Sequence, residues 1–170
     1  TELETHVMDW MAGMLGLPAH FLSTGTGGGV IQDTASSATL CALLAARERA
    51  TDFAGTRDGL QGDGHARLVA YATADAHSSI EKAARIAGLG AGAIRTVPTR
   101  ADHSMDPAAL KSMLLADRAE GHVPFLCVAS VGTTSSHAVD PIAEIGPACS
   151  SRSEEHTSEL QSRFGISYAV

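Results

Sequence analysis

The chain has 170 residues, 44% of them hydrophobic and 18% charged, with one Trp, two Tyr and four Phe: enough apolar material for one packed domain or a piece of a larger one, and too much for a disordered protein. Twelve Lys and Arg against nineteen Asp and Glu give a formal net charge of −7 without any basic stripe, which speaks against a nucleic-acid partner. No apolar run approaches the roughly 20 residues that span a bilayer, and the opening segment is acidic and amphipathic, unlike a secretory leader, so a cytoplasmic protein with no membrane partner is expected.

Residues 1–15 read as an amphipathic helix, with Thr1 and Glu4 at capping-box spacing and Leu3, Val7, Trp10, Met11 and Met14 recurring on one face. Gly16, Pro18 and the polar, Gly-rich run 23–29 break it, and residues 28–32 (GGVIQ) are a short strand candidate. From Ser36 an apolar helix runs to the charged turn Arg47 to Arg49. Residues 53–65, rich in Gly and Asp, read as a surface excursion, followed by a buried strand at 67–72 (RLVAYA). Ser78 starts the next helix, with Glu81 completing a Ser-x-x-Glu cap and Gly88 at the stop. A short strand follows at 94–98. Asp106 and Pro107 then form an N-cap and a first helical proline, and Gly121 ends that helix. Residues 125–131 (FLCVASV) are a third clear strand, and Asp140 with Pro141 repeats the cap-then-proline start.

Alternating strands and helices predict an α/β fold, a mostly parallel sheet with helices on both faces. Ligands in such sheets bind beyond the carboxyl ends of the strands, which singles out residues 32–37, 73–79 and 132–140. In the first segment a helix begins among small hydroxyl residues (Thr34, Ser36, Ser37), with Ala35 allowing close backbone approach, an arrangement suited to an anion such as phosphate. Asp33 would repel a phosphate and should point away. In the second, His77 follows a buried strand and precedes a capped helix, where an imidazole can stack on a flat ring, move a proton or satisfy a loop carbonyl. In the third, Thr133 and Thr134 offer hydroxyls after a strand. Taken alone, each segment has a plainer explanation that is favoured: an N-cap serine, a loop histidine and an ordinary polar turn.

Several patterns carry no function. GLGAGA (88–93) matches a dinucleotide fingerprint, but it follows a helix and precedes a strand, the reverse of the required order. The eight histidines show no HExxH spacing and no Cys–His cluster, so no metal is expected. Cys41, Cys127 and Cys149 form no CxxC pair and suit a reducing compartment.

In combination, TELETHVMDWM, GGGVIQDTASSATLCALLAARER, LVAYATADAHSSIEKAARIAG and PFLCVASVGTTSSHAVDPIAEIGPAC resemble, in this order, the group II pyridoxal-phosphate-dependent decarboxylases, and within them the aromatic-L-amino-acid decarboxylase branch. The resemblance covers residues 1–150 and implies part of a fold type I (aspartate aminotransferase-like) large domain that binds pyridoxal 5'-phosphate. It implies phosphate binding by Ala35 and Ser36, ring stacking by His77, and Thr134 beside the cofactor. It further implies an amino-acid substrate, decarboxylation of an aromatic L-amino acid to its amine and CO₂, and a homodimer with its active site at the subunit interface. A glutamate or cysteine-sulfinate decarboxylase, or a non-catalytic phosphate-ligand-binding fragment, are the alternatives.

The family's Schiff-base lysine, and the aspartate that pairs with the ring nitrogen, lie after the position matched by Cys149. The two lysines of this sequence, Lys82 and Lys111, match neither motif and read as solvated helix positions. No catalytic Schiff-base residue is therefore expected here, and the chain alone should be inactive. Residues 151–170 turn abruptly polar and Ser-rich, resemble translated sequencing-adapter sequence, and are read as a non-native tail.

Overall fold

A strand of six consecutive buried residues needs cover on both faces, and the run Leu68–Thr73 receives it. The computed structural model describes residues 2–25, 27–60, 65 and 67–150. These fall into two compact units, Thr1–Thr34 and Ala35–Val170.

The first unit is built on α1 (Glu2–Met14) and a 3-10 turn at Ala19–Phe21. The capping box expected at Thr1 lies outside the described residues. Ser23 folds the following loop back onto α1, donating its backbone N–H and its hydroxyl to the Asp9 carboxylate at 2.8 and 2.6 Å, which hold the Asp9 carboxyl below its ordinary range. The apolar face read from the sequence is not a core face: Leu3, Trp10 and Met14 are exposed, and Ala12 is the buried residue. Residues 28–32 form no strand. Val30 and Ile31 are exposed, and the Ile31 N–H that a ladder would use donates instead to the Glu4 carboxylate at 2.9 Å.

In the second unit, α2 (Ala35–Ala50) and a short α3 (Ala54–Arg57) precede β1 (Leu68–Thr73), α4 (Ser79–Ile86), β2 (Ile94–Val97), α5 (Pro107–Ala119), β3 (Val123–Cys127) and α6 (Ile142–Ser150). Among the described residues the strands form a parallel sheet in the order β2-β1-β3, three strands rather than the four read from the sequence, since 28–32 contributes none. Alternation along β1 divides the core. Leu68, Ala70 and Ala72 pack with Leu43 of α2 and Ile80 and Ala84 of α4. Val69 and Tyr71 face the other way, onto Leu110 and Leu114 of α5 and Ile145 of α6. Pro124 cannot donate to a ladder, and the β1–β3 register slips by one residue just after it. Phe125 and Leu126 consequently share one face.

Helix ends follow local chemistry. Asp106 caps α5 by accepting from Ala108 and Ala109 N–H, with Pro107 in the first turn. Gly88, at φ +76°, lets Leu89 N–H return to Ala84 O at 3.0 Å and closes α4, so the GLGAGA segment is a helix stop and turn as expected. Lys82 and Lys111 are both exposed on their helices.

Near the amino end of the sheet a buried carboxylate joins three elements. Asp117 of α5 accepts from the Tyr71 hydroxyl (2.8 Å), from Arg95 Nη2 (2.9 Å) and from His122 Nδ1 (2.9 Å). Burial alone would raise its carboxyl, but the bonds from Arg95, Tyr71 and His122 prevail and hold it at about 2. Burial and the same bond push the Tyr71 phenol up.

Because the folded-state value of Asp117 lies below the ordinary 3.8, its contribution to stability is complete above that value and disappears as pH falls towards about 2. Asp117→Asn should therefore cost about 3 kcal/mol near neutral pH, and the gap to the parent chain should shrink with acidification through this window. Urea unfolding across pH measures it; a gap independent of pH would contradict the assignment.

Candidate active-site cavity

Three turns meet beyond the carboxyl ends of β1 and β3 and enclose a cavity of about 450 Å³, within the roughly 300–1,000 Å³ usual for small-molecule sites. Ala35 and Thr39 of α2 form one wall, residues 75–80 a second and residues 128–134 a third. The first turn of α2 directs backbone N–H groups out of the helix end, where the helix dipole favours an anion. The Thr39 hydroxyl turns back to Ala35 O at 2.8 Å and receives the buried Ser79 hydroxyl at 3.5 Å, tying α2 to α4.

Of the four residues singled out in the sequence, Ala35, His77 and Thr134 line this one cavity. Ser36 sits beside Ala35 in the same helical turn, exposed and outside the lining, and Asp33 is exposed. His77 is exposed and accepts the Ser79 N–H on Nδ1 at 3.2 Å. That bond puts the ring hydrogen on Nε2. It also corrects the expected cap: Ser78 has helical φ and ψ and makes no side-chain cap, so His77 supplies the acceptor in its place. Glu81, expected to complete that cap, pairs instead with Arg85.

The third wall is folded by a carboxylate that the sequence reading placed elsewhere. Strand β3 ends at Cys127, short of the expected Val131. Val131 then bridges Val139 in antiparallel fashion, and Gly132, at φ +85°, makes the turn. Asp140 does not cap α6. Its buried side chain accepts from Ser130 N–H at 2.6 Å and Met105 N–H at 2.7 Å, clamping the exit of β3 to the turn before α5. Within the loop, Ala138 N–H donates to the Thr133 hydroxyl oxygen (3.2 Å), and the Thr133 and Ser136 hydroxyls lie 2.6 Å apart. Thr133 and Thr134 both line the cavity, and the Thr133 hydroxyl is engaged in folding the loop.

Asp75 and Ser136 escaped the sequence reading, which took Asp140 for a helix cap. A carboxylate two residues before His77 in the same turn was the available signal for Asp75. Elsewhere among the described residues, Asp117, Glu120 and His122 present potential metal ligands within 4.8 Å of one another. The Arg95 guanidinium already occupies that carboxylate, so the cluster carries its own cation.

A parallel α/β unit with a small-molecule cavity at its carboxyl edge, walled by a helix N-terminus, an imidazole and hydroxyls, has the features of an enzyme domain for an anionic ligand. The chain belongs to the pyridoxal-dependent decarboxylase family, whose conserved-domain profile matches residues 1–159. It is 47% identical over 148 residues to tryptophan decarboxylase 2 of Oryza sativa subsp. japonica, covering 86% of this chain and 29% of the relative. To the aromatic-L-amino-acid decarboxylase of Bos taurus it is 46% identical over 153 residues, covering 88% and 31%. The crystal structure of Oryza sativa TDC with PLP and tryptamine superimposes with a TM-score of 0.72 at 44% identity, over 88% of this chain and 30% of that one. The chain therefore spans about three tenths of the length of the relatives it matches.

Replacing Asp140 by Ala should leave two backbone donors without their charged acceptor and cost about 3 kcal/mol. Hydrogen exchange at the Ser130 and Met105 amides should accelerate selectively, and unchanged protection there would contradict the clamp.

Proposed function

We propose that the intact protein is a pyridoxal 5'-phosphate-dependent carboxy-lyase that converts an aromatic L-amino acid to its amine and CO₂, with this chain supplying part of the cofactor cradle. The observation that carries the reading is the shared cavity. A helix N-terminus, an imidazole and a hydroxyl from three separate turns border one space of about 450 Å³. Membership of the family and the decarboxylase activities of its relatives support the reaction class.

The residues present fit a flat ring bearing a phosphate. Ala35, with no bulk beyond Cβ, and Ser36 would hold the phosphate through first-turn N–H groups and a hydroxyl. His77, its ring orientation fixed by the Ser79 N–H, would lie against the ring with its hydrogen on Nε2. Thr134 would offer its hydroxyl from the loop after β3, and the buried Val128 and Ala129 add apolar lining. When bound, pyridoxal phosphate supplies an electron-accepting ring that takes up the electron pair left as CO₂ departs. The covalent lysine that this chemistry requires is not among the described residues of the cavity wall: Lys82 and Lys111 are exposed on helices outside the lining. The chain by itself should therefore bind without turnover.

We assign residues 1–150 to part of a cofactor-binding large domain. Residues 151–170 lie outside the described residues, and the family match continues to 159. No helix among the described residues is long and apolar enough to cross a membrane. A homodimeric intact protein, following the family resemblance, and a cytoplasmic setting complete the proposal; for the setting, Cys127 and Cys149 are buried free thiols, as a reducing compartment permits.

Titration of the chain with pyridoxal phosphate should show reversible binding, with no amine produced from aromatic amino acids. Ser36→Ala and His77→Ala should each weaken binding about tenfold, roughly 1.4 kcal/mol. Amine formation by this chain would refute its inactivity, and affinity unchanged in both variants would refute the cradle.

A further inference from the structure

We propose that Asp75 is a positioning residue of the cavity, which anchors the loop carrying Thr134 and, through its charge, sets the end of the cavity that an anion occupies; this rests on the phosphate-ligand reading above. Among the described residues that line the cavity, Asp75 is the only Asp, Glu, Lys or Arg. Its side chain is about one-third exposed.

The hydroxyl contacts around it have a determined direction. The Ser136 hydroxyl, with a single hydrogen, donates to Asp75 Oδ2 at 3.3 Å. The 2.6 Å contact between Thr133 and Ser136 must then run from the Thr133 hydroxyl to the Ser136 oxygen. Thr133 in turn accepts the Ala138 N–H at 3.2 Å. Three successive donors thus point along one line that ends on the Asp75 carboxylate, and such chains strengthen one another.

A third turn leans on the same oxygen. His103 Nδ1 stands 3.8 Å from Asp75 Oδ2, at the tip of a turn closed by the Thr99–Met105 bridge, where His103 itself adopts φ +66°. Asp75 therefore links the turn after β1 to the loop after β3 and faces the turn after β2. Its charge opposes an anion beside the turn after β1, and the N-terminus of α2, which lines the same cavity, attracts one. A phosphate-bearing ligand consequently has one favoured orientation.

Two variants separate the anchor from the charge. Asp75→Asn keeps an acceptor for Ser136 and removes the charge; Asp75→Ala removes both. The full chain and both variants are titrated with pyridoxal phosphate, with pyridoxal, which lacks the phosphate, and with inorganic phosphate, while the Thr134 amide is followed by NMR. In Asp75→Asn, pyridoxal affinity should stay within about twofold and inorganic phosphate should bind about threefold more tightly. In Asp75→Ala, pyridoxal and pyridoxal phosphate should both weaken about tenfold, and the Thr134 amide should lose its dispersed shift. Equal behaviour of the two variants, or phosphate affinity unchanged in Asp75→Asn, would overturn this proposal while leaving the cradle intact. Failure of the unchanged chain to bind pyridoxal phosphate would overturn the cradle reading and this proposal with it.

Discussion

Parallel pairing of β1 with both β2 and β3 sends the chain out of every strand at the same edge of the sheet. Each return to the opposite edge has to cross a face, and the crossovers are the helices whose apolar sides bury Leu68, Ala70 and Ala72 on one side and Val69 and Tyr71 on the other. The exits of the two neighbouring strands β1 and β3 are therefore brought together by backbone geometry before any side chain is chosen. The first turn of α2, packed on the face it shares with α4, adds the third wall. What side chains contribute is the fixing of those exits: His77 caps α4 and Asp140 clamps the backbone at Ser130 and Met105.

The two ends of the sheet use carboxylates in opposite ways. At the amino end Asp117 is buried with Arg95, Tyr71 and His122, so that its charge is matched within the fold and serves stability. At the carboxyl end Asp75 is partly open to a cavity, with the Ser136 hydroxyl and His103 beside it. A charge already neutralised by its neighbours has little left to offer a ligand, whereas one that borders open space acts on whatever enters it. The location of the cavity, rather than the number of ionisable groups, thus distinguishes the functional end from the structural one.

Much of this was legible in the chain because it is written in local signals. The cap-then-proline start at Asp106 and Pro107, the glycine stop at Gly88 and the all-apolar run of β1 each depend on a few adjacent residues. The turns carrying His77 and Thr134 were also legible, since a strand followed by small and hydroxyl residues marks a carboxyl edge, and Ala35 was legible as a helix start among small hydroxyl residues. Two of the failures share a physical cause, which is competition from distant partners. Asp140 has the spacing of a helix cap, yet two backbone donors, from Met105 35 residues away and from Ser130, claim its carboxylate. Residues 28–32 have strand composition, but Glu4, 27 residues before Ile31, takes the hydrogen bond that a strand would need. Ser78 has a capping side chain but helical dihedrals, and its neighbour His77 does the capping. Hydrogen bonds of this kind cannot be read from spacing.

Backbone amide chemical-shift mapping of the isotopically labelled chain, with pyridoxal phosphate added stepwise, interrogates the convergence of these turns without requiring catalysis. The amides of Ala35, Ser36, His77 and Thr134 should move together along one binding curve, while those around Asp117 and His122 at the opposite end stay still. Separate curves for the three turns, or shifts centred on the Asp117 cluster, would show that the turns do not form a common site.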